Sequence, residues 1–201
     1  MTVLISTAYL PPISFFSGCE NSEQVLIERF ETYPKQTFRN RCRIYGPNGL
    51  QTLSIPVIKV NGNHTLTKDI RIAASTPWQR LHWRSIETAY NNSPFFIYYK
   101  DELEKVFEKK NVFLLDLNTS FLEILFSILR MGKRIGFTDQ FQKIPEGSKD
   151  FRESFQQKKE ISPKPFPPYT QVFSAKYGFI PDLSIIDLIF NLGPESGNFF
   201  V

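Results

Sequence analysis

The chain has 201 residues, 41% hydrophobic and 22% charged, an ordinary globular composition long enough for one substantial domain. Its net charge of +4 is spread along the chain among acidic neighbours, which argues against a nucleic-acid partner. Two cysteines without CxxC spacing give no disulfide framework, and no apolar run is long enough to span a bilayer, so a cytoplasmic protein without stable membrane insertion is expected.

Val3-Leu4-Ile5 reads as a short buried strand, and Pro11-Pro12 takes the chain out of the sheet in an extended loop. Phe16-Ser17-Gly18-Cys19 has the look of a lipoprotein cleavage site. The segment before it lacks Lys and Arg and contains the two prolines, so it does not read as a signal peptide. A helical turn or two is expected over Ile13 to Gly18, then a weakly alternating strand over Val25 to Tyr33.

From Phe38 the pattern sharpens. Arg39, Arg41 and Arg43 alternate with Asn40, Cys42 and Ile44, which puts the three guanidinium groups on one face of a strand. Pro47-Asn48-Gly49 supplies a turn, and Leu53, Ile55 and Val57 return on the apolar face. A symmetric hairpin sets Ile44 opposite Leu53, Cys42 opposite Ile55 and Asn40 opposite Val57. Asn61-Gly62-Asn63 marks a further turn, and Leu66 to Ala73 a third strand. Together they predict an antiparallel meander over Phe38 to Ala73.

Helices follow. Thr76-Pro77 reads as a cap for a helix whose apolar stripe is Trp78, Leu81, His82, Ser85, Ile86 and Ala89. Ser93-Pro94 caps the next, with Phe95, Tyr98, Tyr99, Leu103, Val106 and Phe107, and Asn118 a third over Thr119 to Arg130. Residues 142–168, polar and rich in proline, read as a mobile loop or lid. Asp182 is placed as the cap of a closing helix over Leu183 to Asn191. The expected fold is mixed α/β in a single domain over 1–201: an initial buried strand, a mainly antiparallel meander and helices packed over it. A Rossmann-like start over Val3 to Tyr33 is compatible but has no glycine fingerprint. The 20 phenylalanines point to a large aromatic core.

No phosphate loop, GxSxG elbow or HExxH occurs, and His64 and His82 have no carboxylate or cysteine at ligand spacing, so neither metal nor cofactor is expected. His82 lies on an apolar stripe, where a satisfied core histidine competes with a general base. His64 reads as an exposed turn residue. Arg39, Arg41 and Arg43 can hold a phosphate or carboxylate, or face water. Asp116-Leu117-Asn118 follows an apolar run at a helix start, where polar groups reach ligands; capping alone accounts for Asn118. Asp187 reads as facing solvent.

With these residues in view, the chain resembles the WbqC-like family. The matching elements are Tyr9-Leu10-Pro11-Pro12, then Lys35-x-x-Phe38-x-Asn40-Arg41-x-Arg43-Ile44, then Pro47-x-Gly49 with Ile55-Pro56-Val57. Trp78-x-x-x-His82, Tyr90, Pro94-Phe95 and Leu115-Asp116-x-Asn118 follow, and Gln171-Val172-Phe173, Gly178-Phe179 and Leu183-Ser184-Ile185-x-Asp187-Leu188 close the series. The resemblance implies a role beside surface polysaccharide (O-antigen-like) assembly, with a transferase placing a glycyl or other acyl group on a nucleotide- or lipid-linked sugar. It raises Asn40, Arg41, Trp78 and Asn118 as substrate-binding residues and His82 and Asp116 as catalytic ones, and it lowers Arg39; Arg43 and Tyr9 complete the expected substrate-binding set. Other members often carry Gln-Pro in the first loop where this chain has Ser6-Thr7. If that loop supplies a catalytic group, activity here is altered or lost.

The leading expectation is thus a transferase on a phosphate-bearing sugar. The alternative is a non-catalytic binding or scaffold protein of a polysaccharide assembly system. Asn40 and Arg41 point to opposite faces of an ideal strand, so sharing one site needs a bulge or a strand end.

Overall fold

Three consecutive apolar residues, Val3 to Ile5, need cover on both faces of a sheet, as parallel strands have. They lie in β1 (Thr2–Ser6), buried from Val3 onward. The computed structural model describes residues 1–34, 37–154 and 166–200. The chain continues from β1 into α1 (Ile13–Cys19) and β2 (Gln24–Glu28), and β2 pairs with β1 in parallel, Val3 beside Val25 and Ile5 beside Ile27. The strand–loop–helix–strand start is present without a glycine fingerprint.

The hairpin follows as β3 (Arg41–Gly46) and β4 (Gly49–Ser54), with Cys42 opposite Leu53 and Gly46 opposite Gly49. This register is two residues tighter than the symmetric expectation. A shift of two preserves the faces, so Cys42, Ile44 and Leu53 still enter the core. The meander does not extend as expected. Leu66 to Ala73 breaks into a 3-10 turn at Thr67–Asp69 and a two-residue strand, β6 (Arg71–Ile72), which pairs with β5 (Val57–Ile58).

Next come α2 (Trp78–Tyr90), α3 (Phe96–Glu108) and α4 (Leu114–Ile128). No side chain caps α2 or α3. On α2, Trp83 rather than Leu81 joins the buried stripe, its ring 6.2 Å from Phe96 and 5.6 Å from Phe107, while Leu81 is exposed. The helix α4 begins five residues earlier than expected, so Asn118 is inside it and its amide is free to act sideways.

Two more strands, β7 (Arg134–Phe137) and β8 (Ser148–Asp150), pair in parallel with β2 and β1. The principal sheet is therefore parallel, in order β7-β2-β1-β8, and this corrects the antiparallel meander as main architecture. The edge strands are too short to show in the sequence, and β8, Ser148-Lys149-Asp150, is wholly polar. Part of the expected 142–168 loop is thus a sheet strand, and residues 155–165 lie outside the described residues.

The chain closes with α5 (Ser174–Tyr177) and α6 (Ile185–Leu192). Asp182 caps α1 instead of α6: its carboxylate accepts from the Ser14 backbone N–H at 2.8 Å and the Ser14 hydroxyl at 3.0 Å. Asp187 on α6 is fully buried, contrary to the solvent-facing expectation; the Tyr169 hydroxyl donates to it at 2.5 Å and the Gln171 amide at 2.9 Å. The aromatic core is as expected, with Phe15, Phe16, Phe121, Phe126 and Phe190 all within it.

From β1 the chain builds to one side through β2 and β7, then returns to the other edge as β8. In open parallel sheets, ligands bind at the carboxyl ends of the strands where such connections diverge. That point falls between β1 and β8, beside Ser6.

Candidate functional site

Buried charges gather at these strand ends. Arg39 forks onto Glu31, with Nε donating to Oε1 at 2.9 Å and Nη2 to Oε2 at 2.8 Å. Its Nη2 also donates to the Ser6 hydroxyl oxygen at 2.6 Å, and that hydroxyl donates to Glu31 at 3.0 Å. Beyond β8, Arg152 forks onto Asp150 (3.0 and 2.8 Å) and lies 3.5 Å from Glu28. The Asp150 carboxyl is held below its usual range chiefly by the Arg152 hydrogen bond. All of these except Asp150 are buried, and each guanidinium has its carboxylate. The network ties the ends of β1, β2 and β8 together and uses up its own donors.

The three arginines of the hairpin region, equal by charge, have three different fates. Arg39 is this internal ion pair. Arg43 donates from Nη2 to the Asp182 carbonyl at 3.3 Å and lies over the Phe38 ring, 5.3 Å from its centroid. Arg41, half-buried on the same face of β3, makes no side-chain hydrogen bond or ion pair among the described residues, and its Nε is buried without an acceptor. The Tyr33 hydroxyl, also buried, has no partner either. Burial pushes the Tyr33 phenol up, and the charges of Arg39 and Arg41 pull it back.

A second cluster forms where the first loop meets α2. Tyr9 is brought there by its backbone N–H, which donates to Phe38 at 2.8 Å, and by Leu10, whose φ of 40° is left-handed. The Tyr9 hydroxyl is 2.9 Å from His82 Nδ1, and Trp78 packs against both rings. The other side of His82 hydrogen-bonds to the Ser54 backbone, and burial lowers its pKa to about 4. In the neutral ring Nδ1 therefore accepts the tyrosine proton while the other nitrogen donates. Trp78 also lines a cleft of about 580 Å³ with Ile72, Pro77 and Asn111.

The remaining expected residues fall apart. The Asn40 amide donates to the Ile55 carbonyl at 2.8 Å and closes the hairpin, so no bulge brings it round to Arg41. Asn118 donates to Thr7 Oγ1 at 3.1 Å and to the Arg39 carbonyl at 2.8 Å, clamping the first loop to the arginine segment; its Oδ1 is buried without a donor. Asp116 is exposed in the first turn of α4, and its carboxylate contacts neither His82 nor Arg41. Sequence reasoning missed Glu31 and Tyr33. An acid and a phenol two residues apart just before the arginines were the available signal. No group of His, Cys, Asp or Glu suited to a metal occurs among the described residues.

Burial of neutral His82 makes the fold acid-sensitive. Below pH 6.5 the unfolded chain takes up a proton that the folded protein refuses until about pH 4, so stability falls across that window, by roughly 3 kcal/mol. Asp182 opposes it: its carboxyl, raised by burial to about 6, binds a proton before the unfolded chain does, which adds stability as pH falls from 6 to 3.8. Buried Asp187, also raised, acts in the same sense as Asp182. The His82→Gln variant should therefore gain stability on acidification from pH 6.5 to 4 relative to wild type, read as the slope of Tm against pH. An unchanged slope contradicts the assignment.

Among the described residues, no helix is long and apolar enough to cross a membrane. A protein of Mycobacterium tuberculosis (strain ATCC 25618 / H37Rv), uncharacterized protein Rv1507c, is 23% identical over 98% of this chain and 95% of its own length. No solved structure matches the chain. The model of the WbqC-like protein family matches residues 7–161, a stretch holding the first loop, the arginine segment, His82 and Asn118. The chain belongs to the WbqC-like protein family.

Proposed function

We propose that the protein is a transferase of surface polysaccharide assembly that acts on a nucleotide- or lipid-linked sugar and moves a glycyl or other acyl group onto it. The observation that carries this reading is Arg41, which makes no side-chain hydrogen bond or ion pair among the described residues and has its Nε buried without an acceptor, two residues after the Arg39 that joins the strand-end network at Ser6. The polysaccharide context is what the resemblance to the WbqC-like family suggests. Arg41 holds the phosphate, with Arg43 beside it on the same face. The sugar's amine or hydroxyl attacks the carbonyl of an activated acyl ester or thioester. The bond to the donor's oxygen or sulfur breaks, and Asp116 or His82 accepts the proton lost by the nucleophile.

One observation favours a non-catalytic binding role on the same ligand: His82 is engaged on both sides and Asp116 does not contact it. Incubation of the purified protein with sugar nucleotides and a glycyl thioester, read by mass spectrometry, separates the two. A sugar product heavier by one acyl group, lost in Asp116→Asn or His82→Gln, supports transfer. Saturable sugar-nucleotide binding with no product supports the binding role.

A further inference from the structure

The small β5–β6 sheet carries a surface that the proposed transfer does not use. Residues directly opposite in an antiparallel pair share a face, so Ile58, opposite Arg71, and Phe113, which bridges to Arg71 from the other side, stand in one row. The Arg71 guanidinium lies 5.7 Å from the centroid of the half-buried Phe113 ring. Val60 follows just after β5, and Val112 is tied to β6 because its carbonyl accepts from the Ile72 N–H at 2.9 Å. Ile58, Val60 and Val112 are 50%, 55% and 57% exposed, which makes this small sheet an apolar patch rather than scattered surface residues.

Its surroundings are basic. The segments that build it hold Lys59, Lys68, Arg71, Lys109 and Lys110 against Asp69 and Glu108. Arg71, Lys109 and Lys110 are exposed and form no ion pair among the described residues. The same edge opens into the cleft of about 580 Å³, where Ile72, Lys110 and Asn111 meet the start of α2, and the Asn111 Nδ2 in its wall is buried without an acceptor. Other exposed apolar side chains have an acidic setting: Ile97 and Tyr98 precede Asp101, Glu102 and Glu104, and Phe141 and Ile144 lie between Asp139 and Glu146.

We infer that this face docks reversibly on an anionic lipid bilayer. Ile58, Val60 and Val112 enter the boundary between headgroups and acyl chains, and Arg71, Lys109 and Lys110 meet the lipid phosphates. The cleft beside them takes a headgroup phosphate against Lys110 and Asn111. Aliphatic side chains offer bases no stacking platform, so a lipid surface fits the patch better than a single-stranded nucleic acid does. The inference goes beyond the transferase reading and stands without it.

The test is cosedimentation of the whole protein with vesicles of phosphatidylcholine alone and of phosphatidylcholine with phosphatidylglycerol in a roughly 3:1 mixture, at about 0.1 M and about 1 M salt. Wild type should bind the anionic vesicles at least about tenfold more tightly than the neutral ones, and high salt should cost a similar factor. Lys109→Gln with Lys110→Gln should weaken binding about tenfold or more. Ile58→Ser with Val60→Ser and Val112→Ser should do the same at unchanged charge. Lys100→Gln with Lys105→Gln removes equal charge from α3 and should bind as wild type. The patch side chains are exposed, so both patch variants should keep the wild-type Tm, and lost binding then reports the surface and not the fold. No binding by wild type, wild-type affinity in either patch variant, or an equal loss in the α3 variant overturns the inference. Tighter binding to a single-stranded oligonucleotide than to anionic vesicles also overturns it. The vesicles hold neither sugar nor acyl donor, so a negative result removes the docking surface alone, and failed acyl transfer removes the transferase reading alone.

Discussion

The Glu31→Gln variant should lose about 3–5 kcal/mol of stability, because it leaves the Arg39 charge buried without its counter-charge. Arg39 is 4% exposed and Glu31 8%, so solvent offers little relief. The amide also disturbs the Ser6 hydroxyl, which lies between Arg39 and Glu31 at the end of β1. For a chain of this length the loss corresponds to a fall in Tm of roughly 10 °C, followed by circular dichroism. The double variant Glu31→Met with Arg39→Met should recover most of it, since apolar groups of similar volume replace buried ion pairs at little net cost. A Glu31→Gln Tm equal to wild type would show that the network carries no stability.

Phe121→Ala should be comparably severe. Phe121 is fully buried on α4, with its ring 5.0 Å from Phe107 and 5.7 Å from Tyr9, so its removal opens a cavity behind the first loop. Truncation of a buried phenylalanine costs about 3–5 kcal/mol. The effect reaches the site because Tyr9 is the hydrogen-bond partner of His82. The cavity loosens the packing around Tyr9 and His82, so the burial that lowers the His82 pKa to about 4 is relieved and the imidazole should titrate closer to 6.5. Imidazole NMR resolves this readily, as the chain has 2 histidines. An unshifted His82 titration would mean that Phe121 packing does not position Tyr9.

Local pattern made much of this molecule readable. The continuous apolar run of β1 marks a strand covered on both faces, the face partition of the hairpin and the apolar side of α2 follow from spacing of 2 and 3.6, and the structure carries all three. What stayed hidden depends on distant partners. The strands β7 and β8 are short, β8 is wholly polar, and only their parallel pairing with β2 and β1 makes them strands. Asp182 looks like the cap of the helix that follows it, yet serves a helix at the other end of the chain. Asn118 has the chemistry of a cap, but α4 starts earlier and its amide bonds to Thr7 and Arg39 instead.

The arginines show the same division at the site. Alternation placed Arg41 and Arg43 on one face, and the family likeness ranked Arg41 above Arg39. Neither could show that Glu31 neutralises Arg39, that Arg43 is tied to the Asp182 carbonyl, or that Arg41 Nε is buried without an acceptor.

The most direct measurement is a crystal structure of the protein soaked with a sugar nucleotide. Phosphate oxygens are expected at about 2.7–2.9 Å from the Arg41 guanidinium. A sugar nucleotide bound elsewhere, such as the cleft lined by Ile72, Trp78 and Asn111, with Arg41 still unpartnered, would contradict the proposed role of Arg41.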